Sequence, residues 1–282
     1  MSAPHIINQR NELSMQWTVE AEAAIKKVPF FVRKRVRARV ENETRQEGKD
    51  TVTLAEVTAT QQRYLTGMAA EVKGYQLDAC FGPAGCPNQI QPSTGLPEKI
   101  ENLLRAADLV GFLKSKGIQD LKFHHEFRVT LADCPNACSQ PQIKDIGIIG
   151  AARPQVGEEA CSGCNTCVET CREGAISLDD QPRPRIEQER CVACGQCIPV
   201  CPTGTIVAGP KGYRVQLGGK LGRHPQLARE LPGIYTEEVV VEIVAACIEL
   251  YKQKSRRGER FGELLQAEDF ERLARQFASR RL

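Results

Sequence analysis

Cysteine placement constrains this chain more than any other feature of its sequence. Twelve of the thirteen cysteines fall into three groups, and Cys247 stands alone. Two groups share one spacing, with gaps of two, two and three residues: Cys161, Cys164, Cys167 and Cys171, then Cys191, Cys194, Cys197 and Cys201. The third group is split into the pairs Cys80 and Cys86, and Cys134 and Cys138. Any fold of this chain must gather these thiols in tight loops.

Composition excludes several classes of protein. The formal net charge is only +3, which is too small to indicate binding to nucleic acid or to a membrane surface. No run of about 18 apolar residues occurs, so we expect no membrane span. The first residues lack the charged-then-apolar pattern of a signal peptide. Many cysteines without an export signal favour metal ligation over disulfides, in a reducing cytoplasm.

The two repeated runs predict a pair of [4Fe–4S] clusters. A tight loop with a cysteine at every third position supplies three thiolates, and the fourth comes from the other half. We therefore assign Cys161, Cys164, Cys167 and Cys201 to one cluster, and Cys191, Cys194, Cys197 and Cys171 to the other. Residues 158–208 resemble the bacterial two-cluster ferredoxins, although Arg172 replaces the usual proline. Structural zinc fits poorly, because zinc sites usually have two cysteine pairs with a longer spacer.

The split group resembles the paired motifs of the sirohaem-containing sulfite and nitrite reductases. The resemblance includes the sequence around Cys134-Pro-Asn-Ala-Cys138, the segment 145–150 and the Gly-Gly-Lys-Leu-Gly-Arg-His-Pro run at 218–225. It implies that the four thiolates hold a third [4Fe–4S] cluster, in which Cys138 also bridges to the sirohaem iron. Electrons would then pass from the ferredoxin-like clusters to the sirohaem, where sulfite or nitrite is reduced by six electrons.

Basic residues near these motifs are candidate ligands for the carboxylates of sirohaem and for an anionic substrate. Lys220 and Arg223 lie between glycines, which allow close approach of the backbone. We predict that Arg128, Lys220 and Arg223 bind the cofactor and that, with His224, they act in catalysis. The alternative for each is an ordinary solvated surface charge.

The match to the reductases weakens in two places. Related reductases often have Lys-Phe-Lys where this chain has Glu126-Phe127-Arg128, and an exposed Glu126 would repel sulfite. His124 and His125 are either compensating proton donors or polar residues at the start of a strand. The chain also supplies one of the two pseudo-symmetric halves of a full-length reductase. The resemblance leaves two alternatives: one half forms the sirohaem pocket, as in the small single-half members of the family, or a second subunit or a second copy of the chain closes it.

The segment from Trp17 onward resembles the small C-terminal domain of a light-independent protochlorophyllide reductase subunit. The similarity includes Trp17-Thr-Val-Glu-Ala-Glu and Val28-Pro-Phe-Phe-Val-Arg-Lys. By analogy this unit would cover a tetrapyrrole or dock a partner; the alternative is a helical packing module without chemistry. Its basic residues, from Arg33 to Arg39, could equally form a solvated helix face.

Together these patterns predict an α+β protein with an inserted domain. We expect a helical unit over 11–66, a sulfite-reductase-like sirohaem and [4Fe–4S] domain over 70–157 and 209–262, a two-cluster ferredoxin insert over 158–208, and a C-terminal helix over 263–282. Residues 1–10 are expected to form a loose arm. Helices are predicted over 17–48 in two parts separated at Pro29, and over 53–65, 97–116, 236–254 and 267–279; strands are predicted over 127–131, 146–149 and 213–217; the stretch 75–93 is predicted to be loop.

The expected function is a sulfite or nitrite reductase that receives electrons from a protein donor. The rival is an electron-transfer subunit without sirohaem that serves a separate catalytic partner, and a third possibility is reduction of another oxyanion. Cys247 lies among apolar residues of a predicted helix and is expected to be a buried hydrophobic residue rather than a ligand.

Overall fold

The computed structural model describes residues 15–179 and 183–282. The chain divides into two compact units, one ending at Glu71 and the other running from Val72 to Leu282. The loose arm predicted for residues 1–10 lies outside the described residues.

The first unit is mainly helical. Its elements are β1 (Gln16–Trp17), α1 (Val19–Lys26), α2 (Phe30–Gln46), β2 (Thr51–Val52) and α3 (Leu54–Glu71), with β1 and β2 paired in parallel. The predicted helix starts at Pro29 and Thr53 are confirmed, whereas Trp17, predicted as helical, lies in β1, and the first helix begins at Val19. Pro29 immediately precedes α2, and the Glu56 carboxylate accepts the Thr53 N–H at 2.9 Å to cap α3. Helix α3 extends beyond its predicted end near Leu65.

Several basic side chains of α2 form ion pairs on the surface of this unit. Arg37 pairs with Glu22 at 2.7 Å and stacks over the Trp17 ring at 4.3 Å, and Arg39 pairs with Glu43 at 2.9 Å. Lys34 is exposed. Val40 and Thr44 of α2 are buried, and Val40 packs near Ala21 and Val52 in the core of this unit.

The second unit contains a mixed five-stranded sheet. The strands of the whole unit, in chain order, are β3 (Tyr75–Ala79), β4 (Phe127–Ala132), β5 (Ile146–Val156), β6 (Ile176–Leu178), β7 (Pro184–Ile186), β8 (Ile206–Leu217) and β9 (Arg229–Glu230). The sheet order is β3-β4-β5-β8-β9, in which the first three strands are parallel and the last two pairings are antiparallel. Strands β6 and β7 form a separate pair. The mixture of helices and sheet agrees with the predicted α+β class.

The helices of this unit are α4 (Leu96–Ala106), α5 (Leu109–Ser115), α6 (Thr166–Thr170), α7 (Glu237–Lys254), α8 (Phe261–Leu264) and α9 (Ala267–Gln276). All of them except α6, which contacts β6, contribute to the core on one face of the sheet. Because side chains alternate along a strand, Phe127, Val129 and Leu131 of β4 all enter the same core as α4, α7 and α9. Cys247 is fully buried there, as the sequence predicted.

Two predicted elements near the first cysteine pair are wrong. The single helix expected over 97–116 is interrupted, because Asp108 adopts a left-handed backbone and its carboxylate accepts the Gly111 N–H at 3.0 Å to start α5. The loop predicted from residue 75 begins later. Residues 75–79 form the edge strand β3, since the glycines and prolines that indicated a loop begin only at Gly82.

Strands β5 and β8 are longer than predicted. They continue past a register irregularity near Ala152, and pairing resumes with Pro154 opposite Ala208 and Val156 opposite Ile206. The cysteine-dense segment 158–208 therefore begins and ends on strands of the main sheet.

That segment repeats itself in three dimensions with an offset of thirty residues. Val156 pairs with Ile206, and Ile186 (156 + 30) pairs with Ile176 (206 − 30). The flanking hydrogen bonds repeat as well: the Gly157 N–H donates to the Thr205 carbonyl at 2.7 Å, and the equivalent bond, from Glu187 to Ala175, measures 2.8 Å. The two halves thus share one local fold.

Candidate metal centres

The split cysteine group gathers at one edge of the sheet. Strands β3 and β4 are parallel neighbours, so their C-terminal ends lie side by side. Cys80 directly follows β3, and its N–H donates to the Leu131 carbonyl at 2.9 Å. Cys134 follows β4 by one residue, and Cys138 ends the same turn, in which Ala137 is left-handed. The two pairs are therefore brought together by strand order alone.

The Cys134 thiol lies within electrostatic range of the other three thiols of this group. Burial raises the pKa of the Cys134 thiol, and Cys138, Cys80 and Cys86 raise it further. Cys134 is buried, Cys80 and Cys86 are half-buried, and Cys138 is exposed. The thiol predicted to bridge to sirohaem is thus the one that faces outward.

Asp133 joins the two cysteine loops, and sequence reasoning missed it. Its buried carboxylate accepts hydrogen bonds from Gln89 and from Ser93, both at 2.7 Å, and its N–H donates to the Cys80 sulfur at 3.3 Å. A Cβ atom at Gly82 would collide with this carboxylate, so the loop requires glycine there. Only its place beside Cys134 could have drawn attention to Asp133.

Cationic groups lie on the face of β4 opposite the core. Arg128 occupies this face, and its backbone N–H donates to the Asp145 carboxylate at 2.8 Å. Arg260, 115 residues further along the chain, pairs with the same carboxylate oxygen at 2.8 Å. Burial raises the pKa of Asp145 and lowers that of Arg128. The Nε–H groups of both arginines are buried without a partner among the described residues.

Glu126 and the two histidines lie beside this group. Glu126 is buried and accepts the Lys73 N–H at 3.0 Å, so it is not the exposed, sulfite-repelling charge that the sequence suggested. Burial raises its pKa. His125 is half-buried and accepts the Lys122 N–H through Nδ1 at 3.1 Å, whereas His124 is exposed. Burial lowers the pKa of His125.

The glycine–basic run separates its predicted site residues. Lys220 is buried, and its Nζ donates to the Glu263 carboxylate at 2.6 Å. Its backbone also pairs with that of Gln226, which closes a loop containing the exposed Arg223 and His224. Of these three side chains, Arg223 and His224 extend toward solvent and Lys220 faces inward.

The two repeated cysteine loops have matching backbones. In the first, Gly163 and Asn165 have φ values of 71° and 60°, and in the second, Ala193 and Gly195 have values of 54° and 65°. These positive angles flank Cys164 and Cys194. They turn the chain tightly enough for successive cysteines to face the same interior.

Cys171, the last cysteine of the first repeat, lies beside the cysteine loop of the second repeat. Burial raises the pKa of the Cys197 thiol to about 12, with further contributions from Cys194, Cys191 and Cys171. Cys171 of the first repeat therefore lies beside the second loop, as the proposed ligation requires. Cys201 packs with the apolar cluster of this segment, which includes the buried Cys167.

Hydrogen bonds to sulfur suit thiolate ligands. Backbone N–H groups donate to the sulfurs of Cys80, Cys161, Cys171 and Cys201 at 3.3–3.4 Å. Such bonds tune iron–sulfur clusters. Among residues 15–179 and 183–282, no group of three or more His, Cys, Asp or Glu side chains is close enough to bind a single metal ion. Thiolates on one zinc ion converge on Zn–S bonds of about 2.3 Å, whereas those of a cube bind separate irons.

The second loop lies on the main sheet and the first does not. The Ala152 N–H of β5 donates to the Ala193 carbonyl at 2.8 Å. Arg214 of β8 donates to the Val192 carbonyl at 2.9 Å. Gln196 donates to the Asn88 side chain at 3.4 Å, which links this loop to the loop that carries Cys86.

Fold and cysteine geometry together define a redox protein of the iron–sulfur type. The chain belongs to the nitrite and sulphite reductase 4Fe-4S domain family, whose model matches residues 75–282. A second model, the proto-chlorophyllide reductase 57 kD subunit, matches residues 17–60. The predicted resemblances to the reductases and to the protochlorophyllide reductase subunit are confirmed, whereas the resemblance of residues 158–208 to the two-cluster ferredoxins stays a prediction.

Curated relatives carry related names. The chain is 34% identical over 181 residues to the coenzyme F420-dependent sulfite reductase of Methanocaldococcus jannaschii, covering 64% of this chain and 27% of that protein. It is 27% identical over 186 residues to a subunit of the anaerobic sulfite reductase of Salmonella typhimurium, covering 64% and 50%. Both relatives extend well beyond the matched region. Over 39 residues it is 62% identical to a subunit of the light-independent protochlorophyllide reductase of Chlorobium limicola, covering 14% and 7%.

Among solved structures, dissimilatory sulfite reductase I aligns with a TM-score of 0.46 at 15% identity, covering 76% of this chain and 56% of that one. The NirA protein of Mycobacterium tuberculosis aligns with a TM-score of 0.40 at 18% identity, covering 75% and 30%. Within the described part of the chain, no helix has the length and apolar character needed to cross a membrane.

Proposed function

We propose that the chain is an iron–sulfur and sirohaem oxidoreductase that reduces sulfite, or nitrite, by six electrons. The observation that carries this proposal is that the two cysteine pairs follow the adjacent C-terminal ends of the parallel strands β3 and β4, with Cys138 exposed. The names of the curated relatives favour sulfite.

Three [4Fe–4S] clusters and one sirohaem are the proposed cofactors. Cys80, Cys86, Cys134 and Cys138 would hold one cluster, and Cys138 would also meet the sirohaem iron. Cys161, Cys164, Cys167 and Cys201 would hold the second, and Cys171, Cys191, Cys194 and Cys197 the third. When bound, the clusters carry electrons and the sirohaem supplies the iron at which the substrate is reduced. The N–H···S bonds support thiolate character at these positions.

Basic side chains of the chain would hold the anionic groups. The Asp145 carboxylate pairs with the Arg260 guanidinium but accepts only the backbone N–H of Arg128, whose guanidinium donates to the Phe123 carbonyl at 3.2 Å. This cluster therefore has two guanidinium groups and one carboxylate. A guanidinium with a free Nε–H can offer its fork to an oxyanion. Arg128 would therefore bind cofactor or substrate, and Arg260 is a candidate that the sequence did not reveal.

The loop of Lys220, Arg223 and His224 would have divided roles. Lys220 pairs with Glu263, which orders the base of the loop. Arg223 and His224, both exposed, remain free to reach an anion and to supply protons. All three stay in the proposed site, with Lys220 as the residue that shapes it.

A second subunit, or a second copy of the chain, would cover this side of the molecule. Phe81, next to Cys80, is 67% exposed, and Leu221 and Leu227 of the glycine–basic region are 58% and 70% exposed. Large apolar side chains exposed beside charged ones are typical of interaction sites. A protein electron donor is the other partner that the proposal requires.

The second candidate is an electron-transfer subunit without sirohaem. The engagement of Lys220 by Glu263 favours it, because that lysine is then unavailable to a sirohaem carboxylate. Cys138 would in this case be only a cluster ligand.

Anaerobic purification followed by absorption spectroscopy and tetrapyrrole extraction tests the proposal. Sirohaem should give a strong Soret band, and Cys138→Ser should abolish sulfite reduction while the signals of the two ferredoxin-like clusters remain. Cys247→Ser is the matched control, because that buried thiol belongs to the helical core. A spectrum with only a broad iron–sulfur shoulder would establish the second candidate instead.

A further inference from the structure

We propose that Arg214 is a positioning residue that fixes the second cysteine loop, residues 191–197, against the loop of Cys80 and Cys86. The inference rests on the proposed function, in which both loops hold clusters. It concerns how this chain sets the separation between two cysteine sites.

The guanidinium of Arg214 is fully engaged. Its Nε and Nη2 donate to the two carboxylate oxygens of Glu230 at 2.6 and 2.5 Å, and its Nη1 donates to the Val192 carbonyl at 2.9 Å. Gln216 donates to the same carboxylate at 3.1 Å. A bidentate arginine–carboxylate pair has a fixed geometry, so the third donor is aimed at the loop.

The support behind Arg214 is rigid. It lies on β8 between Tyr213 and Val215, which are both buried in the main core. Its side chain is only 17% exposed. The loop is thus anchored to the part of the sheet that packing holds most firmly, rather than to another loop.

Other contacts of the same loop show what this anchor controls. Gln196, at the far end of the loop, donates to Asn88, two residues after Cys86. At Gly195 a Cβ atom would lie 3.0 Å from the Cβ of Ala152, so the loop lies directly on β5. Movement away from Arg214 would therefore also separate Gln196 from Asn88.

The anchor has no counterpart in the first half of the repeat. Strand β6 is the equivalent of the start of β8, but it ends at Leu178 and turns back into β7, so no described residue of the first half stands at the place of Arg214. Ser162, thirty residues before Val192, is exposed. Thirty before Gln196 stands Thr166, whose hydroxyl donates to the Cys164 sulfur at 3.4 Å instead. Since both halves adopt the same local fold, the anchor is not needed to form a cysteine loop. Its use is to place one of them.

Arg214→Lys in the full-length holoprotein tests the proposal. A single ammonium cannot replace the bidentate pair and reach Val192 as well. Hydrogen exchange at the Ala152 N–H, which bonds to Ala193, should rise about tenfold, because bonds to a charged group are lost. Electron transfer from the second-loop cluster to the Cys80–Cys138 cluster should slow about tenfold to a hundredfold. The reduced protein would show this by freeze-quench electron paramagnetic resonance.

The controls separate positioning from folding. Arg185→Lys changes an exposed arginine paired with Asp179 on the hairpin of β6 and β7 and should alter neither measurement. The N–H groups of Gly157 and Glu187, one in each half, should keep their protection in Arg214→Lys. Glu230→Gln, which keeps the Val192 contact but weakens its clamp, should have a smaller effect in the same direction.

The proposal is overturned if Arg214→Lys leaves Ala152 exchange and the transfer rate unchanged, or if all three amides lose protection together. Neither measurement needs sirohaem or sulfite. A protein without sirohaem would sink the proposed function and leave this result standing.

Discussion

The two cysteine loops of the repeat have the same spacing and nearly the same backbone, yet their surroundings differ. In the first loop Ser162, Cys164 and Asn165 are exposed, whereas in the second Ala193 and Gly195 are buried against the sheet. Cysteine spacing determines which thiols of a loop are available to bind a cluster, whereas the residues around the loop determine whether another protein or another loop can contact it. Under the proposed function, the exposed first loop would be the one to meet an electron donor, whereas the second loop contacts the loop of Cys86.

The largest expected effect is the loss of a cluster, because each repeat is proposed to supply the fourth thiolate to the cluster of the other repeat. Cys171→Ala should remove the cluster of the second loop, although Cys171 lies in the first repeat, because its thiol is beside Cys197. Cys201→Ala should remove the cluster of the first loop. Iron analysis with paramagnetic resonance would show one lost signal in each variant. Loss of the opposite signals would mean that each repeat ligates its own cluster.

Thiol reactivity of the metal-free protein should differ strongly between the loops. Hydrogen bonding from the Thr166 hydroxyl, followed by its N–H, lowers the pKa of Cys164, so its thiolate forms at lower pH. Burial raises the pKa of Cys197 to about 12, so it stays protonated through the range in which Cys164 ionises. As the pH is raised from neutral, iodoacetamide should label Cys164 first and Cys197 last. Equal labelling rates, read by mass spectrometry, would show that the loops lose their difference without metal.

Exchanging the residues at one equivalent position should test the contact with β5. Asparagine tolerates the left-handed backbone, but Gly195→Asn places a Cβ 3.0 Å from that of Ala152 and should destabilise the docked loop by about 1–3 kcal/mol. Asn165→Gly, on the exposed loop, should change stability by less than about 0.5 kcal/mol. Urea-induced loss of cluster absorbance measures both. If Gly195→Asn and Asn165→Gly had equal urea midpoints, the claim that the second loop is docked on β5 while the first loop is not would be contradicted.

Hydroxyl donors should tune only the first cluster. Thr166 donates to Cys164 at 3.4 Å, and Thr203 lies 3.7 Å from the Cys201 sulfur, while their equivalents beside the second cluster are Gln196 and Glu173. Thr166→Val should lower the midpoint potential of the first cluster by about 20–65 mV, since a lost hydrogen bond is worth about 0.5–1.5 kcal/mol for one electron. Redox titration checks this, with Thr58→Val, on the surface of α3, as the control. A shift in the second cluster instead would reverse the ligand assignment.

The repeated part of the molecule could be predicted largely from its sequence. Cysteine spacing fixed the two loops, and the match of 134–138 to a known motif indicated the third group. The strand ends that bring Cys80 to Cys134 follow from β4, which the sequence predicted, and from β3, which it missed. Tyr75 and Leu77 do alternate as a strand requires, but the glycines and prolines from Gly82 onward obscured them.

The contacts that distinguish the loops were beyond sequence reasoning. Arg214 and Glu230 are ordinary polar residues that are distant in sequence from the second cysteine loop. Asn88 follows Cys86 by two residues, but no spacing connects it with Gln196 of that loop. The same holds for Arg260, which meets Asp145 across 115 residues, and for Glu263, which engages Lys220. Polar pairings of this kind arise from tertiary packing, so they become visible only when the strands are in register.

Strands β5 and β8 pass without a break in chain direction from the main sheet into the base of the cysteine-rich hairpin, and their pairing resumes after the irregularity at Ala152. Rotation of segment 158–208 as a separate body would have to break the pairing of β5 with β8. The backbone hydrogen bonds of that pairing would be lost, which makes such a rotation costly. Under the proposed function, the distance between the clusters of the cysteine loops and the Cys80–Cys138 cluster is therefore fixed by the pairing of β5 with β8. Electron flow would then be controlled by the arrival of a donor, and not by reorientation of segment 158–208.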